Sequence, residues 1–215
     1  MSLSGLGLVV AGGATARGHA VAVAAAQRGA QVVASGGSEE AVSRLSELTE
    51  GRATGVVADP ALEDDAERLF GTAAARLSRI DMVVSAVPDL PVRALSELTL
   101  AEWEEGVARA LRGAFFVSRL AVEEFLARGA EGRIVHVAPA PRPGPGQSLA
   151  AVSLEALLSL VRSTAKEYGP RGICCNAVVH SGDADAATVE AALFLASSEA
   201  SYVNGEALRV GAPSA

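Results

Sequence analysis

The sequence predicts an α/β protein: one doubly wound parallel sheet of about seven strands with helices on both faces, in a single domain over residues 1–215. Three observations predict it. Short apolar runs alternate with amphipathic segments along the whole chain, the pattern of strands joined by crossover helices. The first run ends in a glycine-rich turn that opens a helix, Ala11-Gly12-Gly13-Ala14-Thr15-Ala16-Arg17-Gly18. Residues 150–179 read as one helix, a hard stop and one buried strand.

The strands are expected at 6–11, 31–34, 54–58, 82–86, 133–138, 173–179 and 206–210, and the helices at 17–28, 39–49, 62–77, 99–128, 150–168 and 186–197. Each strand is a short apolar run, as strands covered on both faces should be. Asp59 precedes Pro60, which reads as a cap followed by a first helical proline. Glu63-Asp64-Asp65 gives the next helix the acidic first turn that its dipole favours. Pro139, Pro141, Pro143 and Pro145 stiffen the loop after the fifth strand. Leu154, Leu157, Leu158 and Val161 recur at helical spacing as one apolar stripe. Gly169-Pro170 ends that helix, because proline has no amide hydrogen and clashes with the preceding turn. Crossovers are expected to be right-handed.

Half of the residues are hydrophobic and only 4% aromatic, so the core is built of Ala, Val and Leu. The net charge is −7 and no basic block occurs, which argues against nucleic acid or an anionic membrane as partner. Met1-Ser2-Leu3-Ser4 lacks the charged start of a signal peptide. No apolar run is expected to reach the ~18–20 residues of a membrane helix. Cys174 and Cys175 are adjacent and have no third cysteine to bridge to, so they read as small hydrophobes in a buried strand. A cytoplasmic location is the expectation.

The run Ala165-Lys166-Glu167-Tyr168-Gly169-Pro170-Arg171-Gly172-Ile173, with Asn176-Ala177-Val178, resembles the short-chain dehydrogenase/reductase family. The likeness covers nearly the whole length, through residues 192–197 and Tyr202-Val203-Asn204-Gly205-Glu206. It implies a Rossmann-like sheet in the order 3-2-1-4-5-6-7 and an NAD(P)-dependent oxidoreductase ancestry. It also exposes departures. The family's Tyr-x-x-x-Lys falls on Ala150 and Leu154, its catalytic serine on Pro139 (preceded by Ala138), and its relay asparagine on Ala110. In the family these groups pass a proton to the substrate oxygen and orient the carbonyl. The chain therefore resembles an oxidoreductase whose catalytic set has been removed. The family's substrate flap after the sixth strand is also expected to be deleted, since His180-Ser181-Gly182 leads almost directly into the last helix. An open site neither excludes water nor clamps a substrate.

The cofactor positions are eroded by the same comparison. The glycine turn keeps Gly12, Gly13 and Gly18, but Ala16 replaces the middle glycine of the family pattern, where its methyl would block a pyrophosphate or force positive φ. Ser35-Gly36-Gly37 carries neither the acid nor the arginine that would read a ribose. Ser85-Ala86-Val87-Pro88 replaces Asn-Asn-Ala-Gly. Asp59 matches the family position that contacts adenine. The expectation is no cofactor or weak NAD(P), with Gly12, Gly13, Gly18, Ser35 and Asp59 as vestigial contacts. No metal site is expected. Substitute chemistry would have to come from His136, Ser148, His180 or His19. Of these, His136 reads as a strand-end residue satisfied by a backbone carbonyl, His180 as a loop residue and His19 as a helix start.

Three functions compete. The first is a non-catalytic subunit of a homo- or hetero-oligomer, paired with an active member of the family. Phe115, Phe116, Leu157, Leu158, Val161, Leu193 and Phe194 would supply its contact face, or else only the monomer's core. The second is an NAD(P)-dependent oxidoreductase with a non-standard active site. The third is a small-molecule-binding or non-redox enzyme that uses the open cleft.

Overall fold

A computed structural model describes residues 2–13, 15–182 and 185–211. The elements run β1 Gly7–Ala11, α1 Ala16–Gln27, β2 Gln31–Gly36, α2 Glu39–Leu48, β3 Ala53–Val57, α3 Glu63–Arg76, β4 Met82–Ala86, α4 Leu100–Ala127, β5 Gly132–Pro139, α5 Ser148–Tyr168, β6 Ile173–His180, α6 Asp185–Ala196 and β7 Ala207–Val210. The seven strands form one parallel sheet in the order β3-β2-β1-β4-β5-β6-β7, as the resemblance implied. The chain winds outward in opposite senses from β1 and β4. Their C-terminal ends therefore flank a crevice, where ligands of this architecture bind.

Two apolar layers cover the sheet. One packs Leu69 and Phe70 of α3, Val117, Ala121 and Phe125 of α4, and Leu154, Leu157, Leu158 and Val161 of α5 against the strands. The other packs Val21, Ala22 and Ala25 of α1, Leu45 of α2, and Ala192 and Leu193 of α6 against the opposite face. A fully buried Leu or Val side chain contributes roughly 1.5–3 kcal/mol. The small side chains let helices and strands approach closely. A Cβ on Gly132 would lie 2.2 Å from the Phe125 ring, so that glycine is where α4 meets β5.

This packing corrects the expected contact face. Leu157, Leu158, Val161 and Leu193 are 1%, 5%, 1% and 0% exposed, and they belong to the monomer's own core. A stripe at helical spacing turns toward the largest apolar surface within reach, and here that is the sheet. Phe115 and Phe194 do reach the surface, at 47% and 39% exposure. Phe116 is half-buried beside Phe115, their rings 5.4 Å apart, with the Arg119 guanidinium over both.

Local chemistry sets the helix ends. Thr99 and Glu102 form a reciprocal capping box that starts the 28-residue α4. A 3-10 turn, Gly169–Arg171, follows α5, and Gly172 at φ 79° reverses the chain into β6. Contrary to the sequence expectation, Ser148–Arg171 is long and apolar enough, by length and composition, to cross a membrane. In this fold its apolar stripe is the core contact of α5. Between β6 and α6 lie only residues 181–184; of these, 183 and 184, where the flap deletion falls, lie outside the described residues.

Candidate functional site

The crevice begins at the glycine turn. Thr15 caps α1: its hydroxyl donates to the Gly12 carbonyl at 2.8 Å and accepts from the Gly18 amide at 3.0 Å. A Cβ would lie 2.3 Å from the Ala86 carbonyl oxygen at Gly12, 2.2 Å from that of Ser35 at Gly13, and 2.3 Å from that of Gly12 at Gly18. Close packing of β1, β2, β4 and α1 thus accounts for all three glycines. Gly12 alone also has positive φ, 84°. Ala16 is the exposed first residue of α1 and takes no positive φ, so the strain expected there does not arise.

Ser35 is also spoken for. Its hydroxyl is buried and accepts the Gly12 amide at 2.9 Å, tying β2 to the turn. This corrects its reading as a cofactor contact: it holds the turn in place. Asp59 is exposed; its Oδ1 accepts the Ala61 amide at 2.9 Å, and its own amide donates to Asp65 at 2.8 Å. The helix that follows starts at Glu63 with Leu62 as its cap residue, so Pro60 is not the first helical position. Asp59 instead closes a turn ahead of α3. Asp65 is held below the usual carboxylate range by that backbone bond and by Arg68.

Two compartments meet in the crevice. The open one holds about 380 Å³ beyond the ends of β1 to β4, with Thr15, Gly36, Gly37, Asp59, Arg109 and Gly113 among its lining. The other lies between β5, α4 and α5 and holds about 20 Å³, the space of a single water. Ala110, Pro139, Ala150 and Leu154 all line this small compartment, so the fold gathers the four positions that the resemblance singled out. Ser153 lines it too, 3% exposed, its hydroxyl without a protein partner. Val87, Pro88 and Ala110 border both compartments. Above them, Arg17 at the start of α1 meets Asp89 after β4 at 3.3 Å.

Of the suggested substitutes, none lines either compartment. His136 is the fifth residue of β5, wholly buried, and its Nε2 is paired with the Ser118 hydroxyl at 3.0 Å. That corrects the expected backbone carbonyl. Its Nδ1 has no protein partner, and burial pushes its pKa down to about 4. His180 is the buried last residue of β6, in register with Pro139 and Val210, rather than a loop residue. His19 lies in the first turn of α1, and Ser148 opens α5 half-buried. Burial, with Cys174 beside it, raises the Cys175 thiol to about 12, which leaves it an inert hydrophobe. Among the described residues, no cluster of His, Cys, Asp or Glu is arranged to hold a metal.

The family model described as enoyl-(acyl carrier protein) reductase, of the short-chain dehydrogenase type, matches residues 12–182, most of this chain. The chain belongs to the short-chain dehydrogenase/reductase family. An uncharacterized oxidoreductase of Thermotoga maritima is 32% identical over 183 residues, 83% of this chain and 72% of the relative. The L-rhamnose-1-dehydrogenase of Scheffersomyces stipitis is 30% identical over 186 residues, 82% of this chain and 72% of its own. A short chain dehydrogenase from Mycobacterium smegmatis is 27% identical with a TM-score of 0.89, covering 99% of this chain and 94% of its own. The 3-ketoacyl-(acyl-carrier-protein) reductase of Brucella melitensis, solved with NADH, shares the fold at TM-score 0.89 and 24% identity, over 97% of this chain and 98% of its own.

Against that family's pattern, sequence reading missed Thr15, Ser118, Ser153 and the Arg17–Asp89 pair. Thr15 was legible as an N-cap three residues before Gly18. The others depend on contacts between segments distant in the chain, which no local pattern reports.

Proposed function

We propose that this short-chain dehydrogenase/reductase lacks the family's reduction chemistry and works as a non-catalytic subunit in a cytoplasmic oligomer, beside an active relative. One observation carries the reading. The compartment that gathers Ala110, Pro139, Ala150 and Leu154 has room for about one water and presents a single hydroxyl, Ser153. General acid–base work at a carbonyl needs a titratable donor within about 3 Å of the substrate oxygen, and room for the substrate. The lining supplies neither.

The cofactor half is different. The cleft at the ends of β1 to β4 keeps a mononucleotide's volume and Asp59, while the space for a nicotinamide and its substrate is filled. The residues present thus fit one half of a dinucleotide and not the other. Relatives named as NAD(P)+ dehydrogenases of L-rhamnose support nucleotide binding in the open half. The subunit role rests on the surface. Phe115, with Phe116 and Arg119 beside it, and Phe194 leave apolar area that the monomer does not cover.

The test is a tagged pull-down from the native source with intact-assembly mass, beside turnover of the purified chain with NADH and NADPH on simple ketones. The expected result is a fixed-ratio complex with a relative that carries Tyr-x-x-x-Lys, and no turnover by the chain alone. Phe115→Ala should loosen that complex while the chain's own stability moves by less than about 1 kcal/mol. Carbonyl reduction by the purified chain would overturn the proposal and favour the non-standard oxidoreductase.

A further inference from the structure

The contrast between the two compartments says more than that a reaction has been lost. We propose that the open cleft takes an amino-purine nucleoside monophosphate, such as AMP, in preference to any nicotinamide dinucleotide. This rests on reading the open cleft as the nucleotide half of the site. Four features of the cleft support the ligand class.

The first is size. A volume of about 380 Å³ suits a small ligand, and Val87, Pro88 and Ala110 separate it from a neighbour of about 20 Å³. A dinucleotide has to continue past that wall. Pro88 is stiff and Val87 is branched at Cβ, so neither gives way as a glycine would.

The second is the shape of the walls. Gly36, Gly37 and Gly113 present no side chain, and Ala58, Ala86 and Ala114 present only methyl groups. Such walls accept a flat ring without competing polar groups.

The third is hydrogen bonding at the ring edge. Asp59 lines the cleft and is exposed, and the Ala61 amide engages its Oδ1. An ionised carboxylate only accepts. It therefore favours a base with an exocyclic amine over one with a carbonyl in that place. Asp65, its neighbour, is already engaged by the Asp59 amide and Arg68.

The fourth is charge. Thr15 stands at the start of the 12-residue α1, and Arg17 follows it with its guanidinium on Asp89. A single phosphate here meets the positive end of a helix and a cation, and it competes with Asp89 for that cation. A second phosphate on the ribose would instead face the first turn of α2, where Glu39 and Glu40 follow Gly37. Like charges there disfavour a 2′-phosphate, so NADP(H) is excluded twice.

Calorimetric titration of the full chain with AMP, IMP, NAD+ and NADPH tests the proposal. AMP should bind at least about tenfold tighter than IMP, NAD+ or NADPH. Asp59→Asn retains an acceptor for the Ala61 amide and should weaken AMP about fivefold or more, bringing it toward IMP. Asp89→Ala, a surface change that leaves the fold intact, should tighten AMP by releasing Arg17. A chain that binds NAD+ or NADPH as tightly as AMP, or that binds none of the four, overturns the proposal, as does an Asp89→Ala chain with unchanged AMP affinity. Assembly mass decides the subunit role separately, so either proposal can fail while the other stands.

Discussion

The two sides of the crevice began from one architecture and ended differently. On the side of β1, β2 and β3, glycines and short side chains keep a cleft of about 380 Å³ open beyond the strand ends. On the side of β5 and α5, Pro139, Ala150 and Leu154 leave about 20 Å³. The glycines on the open side persist because backbone would collide with any Cβ there, at 2.2–2.3 Å for Gly12, Gly13 and Gly18. Nothing comparable protects the reacting groups on the filled side. A tyrosine or lysine there is held by chemistry alone, and apolar residues pack the same space more stably. A fold therefore keeps the parts of a site that double as its frame.

The largest test of that contrast is to put a charge back. Leu154 is 5% exposed, and Leu154→Lys buries an ammonium with no partner in the lining. It should cost roughly 3–5 kcal/mol at pH 7 in a denaturant titration, with part of the loss recovered near pH 10 as the amine becomes neutral. A variant as stable as the parent would mean that the filled side is wet, and the contrast would break.

A smaller test uses His136, behind the filled side. Its folded pKa of about 4 lies below the unfolded value of 6.5, so the unfolded chain takes the proton first. Its contribution, on the order of 3 kcal/mol, is whole above about pH 6.5 and lost as pH falls toward 4. His136→Asn should flatten stability across that window. An unchanged pH profile would show that the imidazole is not as dry as its burial implies.

The smallest is on the open side. Thr15→Ala removes the cap of α1 and should cost about 1 kcal/mol, with little change elsewhere. A loss as large as that of Leu154→Lys would mean that the open cleft is as tightly determined as the filled one.

Much of the fold was legible because alternation is local. Each apolar run names a strand, each stripe a helix, and most observed ends differ by one or two residues. The misreadings share a cause. Asp59-Pro60 has the form of a cap and a first helical residue, yet the Asp59 amide is taken by Asp65, six residues on, and α3 starts later. His136 was placed near a strand end because the apolar run is shorter than β5, and its partner Ser118 sits on another element. Leu157 and Leu193 have the right period for a contact face, and only the sheet opposite them makes them core.

The sequence by itself determined the architecture, the family and the absence of phenol, ammonium and hydroxyl at residues 150, 154 and 139. Those are properties of residue type and short-range order. Tertiary structure decided that these positions share one compartment, that this compartment is nearly full, and that the neighbouring one is open. The reason is physical: volume is set by how β4, β5, α4 and α5 pack, and each wall of the cavity comes from a different part of the chain.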